Sequence, residues 1–113
     1  MVELAIAFSV ILILGIASVR ADRRFRELDR LPMQWSLEGQ VNWTAPRRIA
    51  LAFTPAIAAI ILAAIAISVS ASGEPRPGQE GFGAPVILLV GLVFLGVHAL
   101  HLRLIARSVD KAP

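Results

Sequence analysis

His98 and His101 are the two histidines of the chain, and they stand three residues apart near the end of its last apolar segment. At about 3.6 residues per turn, both fall on one helical face. Such a pair would hold a metal ion if a third ligand came from the loop that carries Asp29, Gln34 and Glu38. The plainer reading is a pair of interfacial imidazoles, stabilised by the helix C-terminus and by lipid headgroups. A haem held within the chain would need axial ligands on opposite sides of the ring, and both histidines sit on one segment. No metal and no cofactor are therefore expected. Cysteine is absent, which removes disulfides, thiolate metal sites and cysteine nucleophiles. No nucleophile–base pair stands out, there is no glycine-rich phosphate loop, and no carboxylate lies inside an apolar segment to mark a proton or ion path. These residues point to a protein that is not an enzyme.

The elements that carry them are apolar blocks. Hydrophobic residues make up 57% of the 113-residue chain, too much for an ordinary soluble domain. They gather in Leu4–Val19, Ile49–Val69 and Ala84–Leu102, none of which holds an Asp, Glu, Lys or Arg. About 20 helical residues cross a hydrocarbon core of roughly 30 Å. The expected fold is all-α, one three-helix transmembrane domain over 1–113, with helices at about 2–30, 45–70 and 84–107. The first block is followed, not preceded, by basic residues, so it reads as a retained span rather than a signal peptide.

Charge sets the expected direction. The segment Arg20–Arg48 has seven Arg against Asp22, Glu27, Asp29 and Glu38, and the tail adds Arg103, Arg107 and Lys111 against Asp110. Ten of the eleven basic side chains thus lie on one side. The positive-inside rule makes that side cytoplasmic, with the N-terminus periplasmic or external and the C-terminus inside. The expectation is a multi-pass protein of a bacterial inner (plasma) membrane whose arginines meet anionic headgroups. A net charge of only +3, placed in this way, argues against nucleic acid as a partner.

Helix 1 is expected to run on to Arg30, because Asp22 with Arg26, Arg23 with Glu27, and Glu27 with Arg30 are opposite charges at helical spacing. Phe25 and Leu28 share a face, and Pro32 stops the helix. An ordered interfacial loop follows with both tryptophans, Trp35 and Trp43, and with Gly39 suited to a positive φ. Thr44 is the expected N-cap of helix 2, with Pro46 in its first turn. Within helix 2, Pro55 cannot donate to the carbonyl of Leu51; a kink is expected there, with Thr54 at hand to help satisfy the backbone. Ala52 and Ala56, like Ala59 and Ala63, are four apart, a spacing that lets helices approach closely in lipid. The segment 71–83 reads as a turn-rich external connector. In helix 3, Gly91 and Gly96 are thin places for a neighbouring helix or lipid chain. Arg103, Arg107 and Lys111 form a basic stripe at its end.

Pro32, Gln34, Trp35, Gly39, Asn42, Trp43 and Arg47 together resemble the loop motif of a small membrane domain of unknown function, also found at the N-terminus of Sdp-type immunity proteins. That pattern is Leu-Pro…Pro-x-His-Trp-x-x-x-Gly-x-x-Asp-x-Trp, then Ser or Pro and a basic residue before a membrane helix. Gln34 stands where the family usually has His, and the spacing around Trp43 departs from the pattern. The larger immunity proteins have further helices that this chain lacks. The resemblance implies an immunity-like or signalling role against a toxin or peptide. The residues themselves suggest a small accessory or structural component that packs against a larger membrane assembly. Transport fits least, for want of charge inside the spans.

Overall fold

The computed structural model describes residues 2–71 and 83–111. The elements run α1 (Val2–Arg24), β1 (Arg30–Trp35), β2 (Val41–Pro46), α2 (Arg47–Ala71) and α3 (Gly83–Lys111). Most of the expected connector, and the side chain of Lys111 in the basic stripe, lie outside what is described. Three helices are long and apolar enough to cross a bilayer: Val2–Arg24, Arg47–Val69 and Gly83–Val109. The all-helical expectation holds for these spans and gains one small element, an antiparallel β-hairpin between α1 and α2.

That hairpin corrects the expected boundaries. Helix 1 ends at Arg24, not near Arg30, and helix 2 begins at Arg47, not 45. The chain leaves α1 through a turn in which the Leu28 amide donates to the Phe25 carbonyl at 2.9 Å. Phe25 is buried there, with Leu28 packed against the same cluster. The expected charge pairs are worth only about 0.2–0.5 kcal/mol each. They give way to tertiary contacts, and Asp22 pairs with Arg47 instead. Thr44 and Pro46 are strand residues rather than a cap and a first turn.

The strands pair Arg30 with Pro46, Leu31 with Ala45, Pro32 with Thr44, Gln34 with Trp43 and Trp35 with Val41. Met33 is the extra residue on β1 and Asn42 the extra residue on β2, two offset irregularities that restore the register. A two-stranded sheet has only edge strands, so Pro32 is tolerated within it. The turn closes on Ser36: its amide donates to the Gln40 carbonyl at 2.7 Å, and its carbonyl accepts from the Gly39 amide at 3.0 Å. Gly39 takes a φ of 86°, the left-handed conformation that favours glycine and suits a three-residue hairpin loop.

Two apolar clusters hold the molecule. One joins the helices through Val10 and Leu14 of α1, Ala58, Leu62 and Ala66 of α2, and Ile87 of α3. The other fastens the hairpin to the helix ends through Phe25, Leu31, Ala45, Leu51 and Ile105. Between α1 and α3 the backbones come close at Gly91, where a Cβ would lie 2.8 Å from Cγ2 of Val10. Many other large apolar side chains, among them Phe8, Ile60, Leu89 and Leu100, are exposed, as the surface of a lipid-facing bundle must be.

Candidate functional site

Polar groups concentrate at the hairpin end of the bundle, and they form three joints. The first centres on Pro55. It lies inside α2 and has no N–H, so the Leu51 carbonyl loses its helical donor. The donor comes from another helix rather than from Thr54: Ser18 Oγ of α1 donates to the Leu51 carbonyl at 2.7 Å. The same oxygen lies 2.8 Å from Nε2 of His98 on α3. A hydroxyl has one proton, and this one is given to Leu51. Nε2 of His98 is then the donor of that contact, and the ring's other nitrogen is Nδ1. That nitrogen is buried without a partner among the described residues. His98 is only 1% exposed, so it is not the interfacial histidine that its position suggests. One serine thus ties three helices together at the point where a proline has broken the ladder of one of them.

The second joint is Arg47, the first residue of α2. Its Nε donates to Oδ1 of Asp22 at 2.7 Å, and its Nη1 donates to the carbonyls of Arg26 at 2.6 Å and Leu28 at 2.8 Å. Its own amide donates to the Asp29 carbonyl at 2.9 Å. Carbonyls beyond a helix end lack intrahelical donors, and the planar guanidinium supplies several from one side chain. Arg47 fixes the route of the chain from α1 to β1.

The third joint docks the hairpin on α3. Trp35 Nε1 donates to Ser108 Oγ at 2.8 Å. The Trp35 ring meets His101 edge-on, 5.8 Å between centroids, and His101 Nε2 lies 3.3 Å from the Pro32 carbonyl. Within the hairpin, Trp43 Nε1 donates to Gln34 Oε1 at 2.9 Å, and Arg30 donates to the hydroxyl and the carbonyl of Thr44 at 2.9 and 2.8 Å. Trp43 stays half exposed, and Asn42 is exposed beside it.

The loop-motif residues thus meet at one end of the bundle, six of them in the hairpin and Arg47 at the start of α2; only Trp35 and Gly39 line a groove, a shallow one against Leu104, Arg107 and Ser108 of α3. His98 and His101 do not converge: one faces Ser18 and the other Trp35. Among the described residues, no three of His, Cys, Asp and Glu gather as a metal site. Of the small residues singled out in the helices, Gly91 is buried against Val10, Pro55 and Ala59 are partly buried, and Ala52, Ala56, Ala63 and Gly96 are exposed. The inner face of α2 is built instead from Ala58, Leu62 and Ala66. Sequence reasoning missed Ser18, which looks like one more small residue in an apolar run. The signal that would have found it is the unpaired Leu51 carbonyl, which requires a donor from somewhere in the bundle. Compared with known proteins, the chain matches no family model, no curated protein and no solved structure.

Proposed function

We propose that this chain is a non-enzymatic accessory membrane protein that packs against a larger membrane assembly. The observation that carries this reading is the second small-residue face of α2. Ala58, Leu62 and Ala66 already serve the bundle, while Ala52, Ala56 and Ala63 are exposed together on another face of the same helix. Small side chains allow close helix–helix approach in lipid, where van der Waals packing drives association. The Ser18–His98 pair supports the same reading. A general base must accept the serine proton, and here that proton is directed to Leu51 while His98 donates. We place the hairpin end in the cytoplasm of a bacterial inner membrane, by the charge asymmetry of the chain, with its arginines against anionic headgroups.

The chain has no native cysteine, which makes a clean experiment possible. Ala56→Cys, carrying a photo-crosslinker in intact membranes, is expected to yield one distinct adduct with another membrane protein. Leu89→Cys, on an exposed part of α3, is expected to yield none. Ala56→Leu should abolish co-purification of that partner in mild detergent. Recovery as a free monomer, with no adduct from Ala56, overturns the proposal.

A second reading comes from the hairpin. It presents Asn42 and Trp43 outward from a hydrogen-bonded frame made of the residues that resemble the Sdp-associated loop. An immunity-like or signalling role would use that surface. A deletion strain with unchanged sensitivity to toxins and envelope stress removes it.

A further inference from the structure

We propose that the hairpin-end half of α1 is a stoichiometric site for one anionic diacyl phospholipid, with its two chains astride Ile16 and its phosphate on Arg20 and Arg23. Two grooves flank the ridge formed by Ile16 and Arg20, which lie four residues apart on one face of α1. One runs along α1 beside Phe8, Leu12, Gly15 and Val19 and ends at Arg20 and Arg23. The other lies toward α3, beside Ile13, Ala17 and Leu102, and ends at Arg20 and Arg24. Their volumes are about 540 and 380 Å³. From Phe8 to Val19 the apolar wall extends roughly 16 Å along the helix, about one leaflet of a ~30 Å core.

Charge selects the occupant. Arg20 and Arg23 are exposed, and neither makes a hydrogen bond or ion pair among the described residues. Arg24, at the head of the second groove, lies over the Phe25 ring at 5.4 Å. Two guanidiniums above an apolar wall match a phosphate above acyl chains, and arginine binds phosphate by paired N–H donors. A third groove, between α1 and α2, has one guanidinium at its head, Arg48, beside an Asp22 carboxylate already held by Arg47, and so lacks the pair of arginines that a phosphate fits. The site therefore belongs to α1's outer face and not to basic charge in general. It rests on the chain's place in a bilayer and not on any protein partner, so its failure leaves the docking proposal standing.

The test uses the full chain, delipidated in mild detergent and then given phosphatidylglycerol or phosphatidylcholine with identical acyl chains. Bound lipid is counted by native mass spectrometry, and helix content is checked by circular dichroism. One phosphatidylglycerol per chain is expected to remain where phosphatidylcholine is lost. At about fivefold per arginine near a membrane surface, R20Q/R23Q should weaken retention roughly 25-fold, while R48Q changes it less than twofold. A Cβ added at Gly15 would meet nothing within 4 Å among the described residues, so a side chain there starts in open space, and G15L should narrow the groove and also weaken retention. Equal loss with R48Q means diffuse surface charge, equal retention of phosphatidylcholine means an apolar groove alone, and a lipid-free dimer means a second copy covers the face. Each of these overturns the proposal.

Discussion

Replacing Ser18 by alanine removes one hydroxyl and leaves two groups stranded: the Leu51 carbonyl and the Nε2–H of His98. Each such group costs about 1–3 kcal/mol when buried in soluble proteins, and hydrogen bonds between membrane helices average nearer 0.6 kcal/mol. Two groups in a site where His98 is almost fully buried place the expected loss at about 1–2 kcal/mol. Pro55 makes the reasoning testable beyond that number. Pro55→Ala restores an N–H at the position whose helical acceptor is the Leu51 carbonyl. In that background Ser18 is no longer Leu51's needed donor, so Ser18→Ala should cost less, by about 0.5–1 kcal/mol. The assay is reversible unfolding in mixed micelles, followed by circular dichroism, for the two single variants and the double variant. Strict additivity across this cycle would falsify the account, because it means that Ser18 and Pro55 act on different groups. A hydroxyl-preserving Ser18→Thr should sit closer to the parent than Ser18→Ala does.

Arg47→Ala should free the segment 26–31 and raise its amide hydrogen exchange, and Asp22→Asn should do so much less, because the two carbonyl contacts survive it. Arg47→Lys should resemble Ala more than Arg, since an ammonium lacks the planar fork that reaches a carboxylate and two carbonyls at once. Gly91→Val should destabilise the bundle by about 1–3 kcal/mol in the same unfolding assay, through overpacking against Val10. Gly96→Ala is expected to be neutral or slightly stabilising, as nothing among the described residues lies within 4 Å of its Cβ position. Trp35→Phe, which loses the Ser108 hydrogen bond but keeps the ring, should loosen the hairpin by about 1 kcal/mol, read as faster exchange of the Val41–Pro46 amides.

The spans were legible because lipid makes one demand on them, length without charge, and that demand is written residue by residue in Leu4–Val19, Ile49–Val69 and Ala84–Leu102. The hairpin was not legible for two reasons. Arg20–Arg30 offers good local helix chemistry, whereas its termination depends on Phe25 and Leu31 being buried against Leu51 and Ile105, contacts distant in sequence. Thr44-Ala45-Pro46 also imitates a helix start, and only the pairing of Ala45 with Leu31 and of Pro46 with Arg30 makes it a strand. The residue types of the loop motif suggest a surface, while their geometry makes a frame. Gly39 was readable on its own, because a positive φ is a local requirement.

The polar joints have a further consequence for how the molecule divides. Along most of the helices, contact is between aliphatic side chains, which fixes distance without strongly fixing axial position. At the hairpin end, Ser18, Arg47 and Trp35 each join segments far apart in sequence by directional bonds. Directional bonds set the axial register of α1 against α2 and of the hairpin against α3. Overpacking near Val10 should therefore widen the bundle while the hairpin stays seated. Losing Ser18 should let α1 slide against α2 and carry the Asp22–Arg47 contact with it. Cysteine pairs placed across α1 and α2 at the two ends of the bundle would separate these cases: Ser18→Ala should broaden the set of pairs that oxidise, and Gly91→Val should slow pairing without changing which partners are chosen.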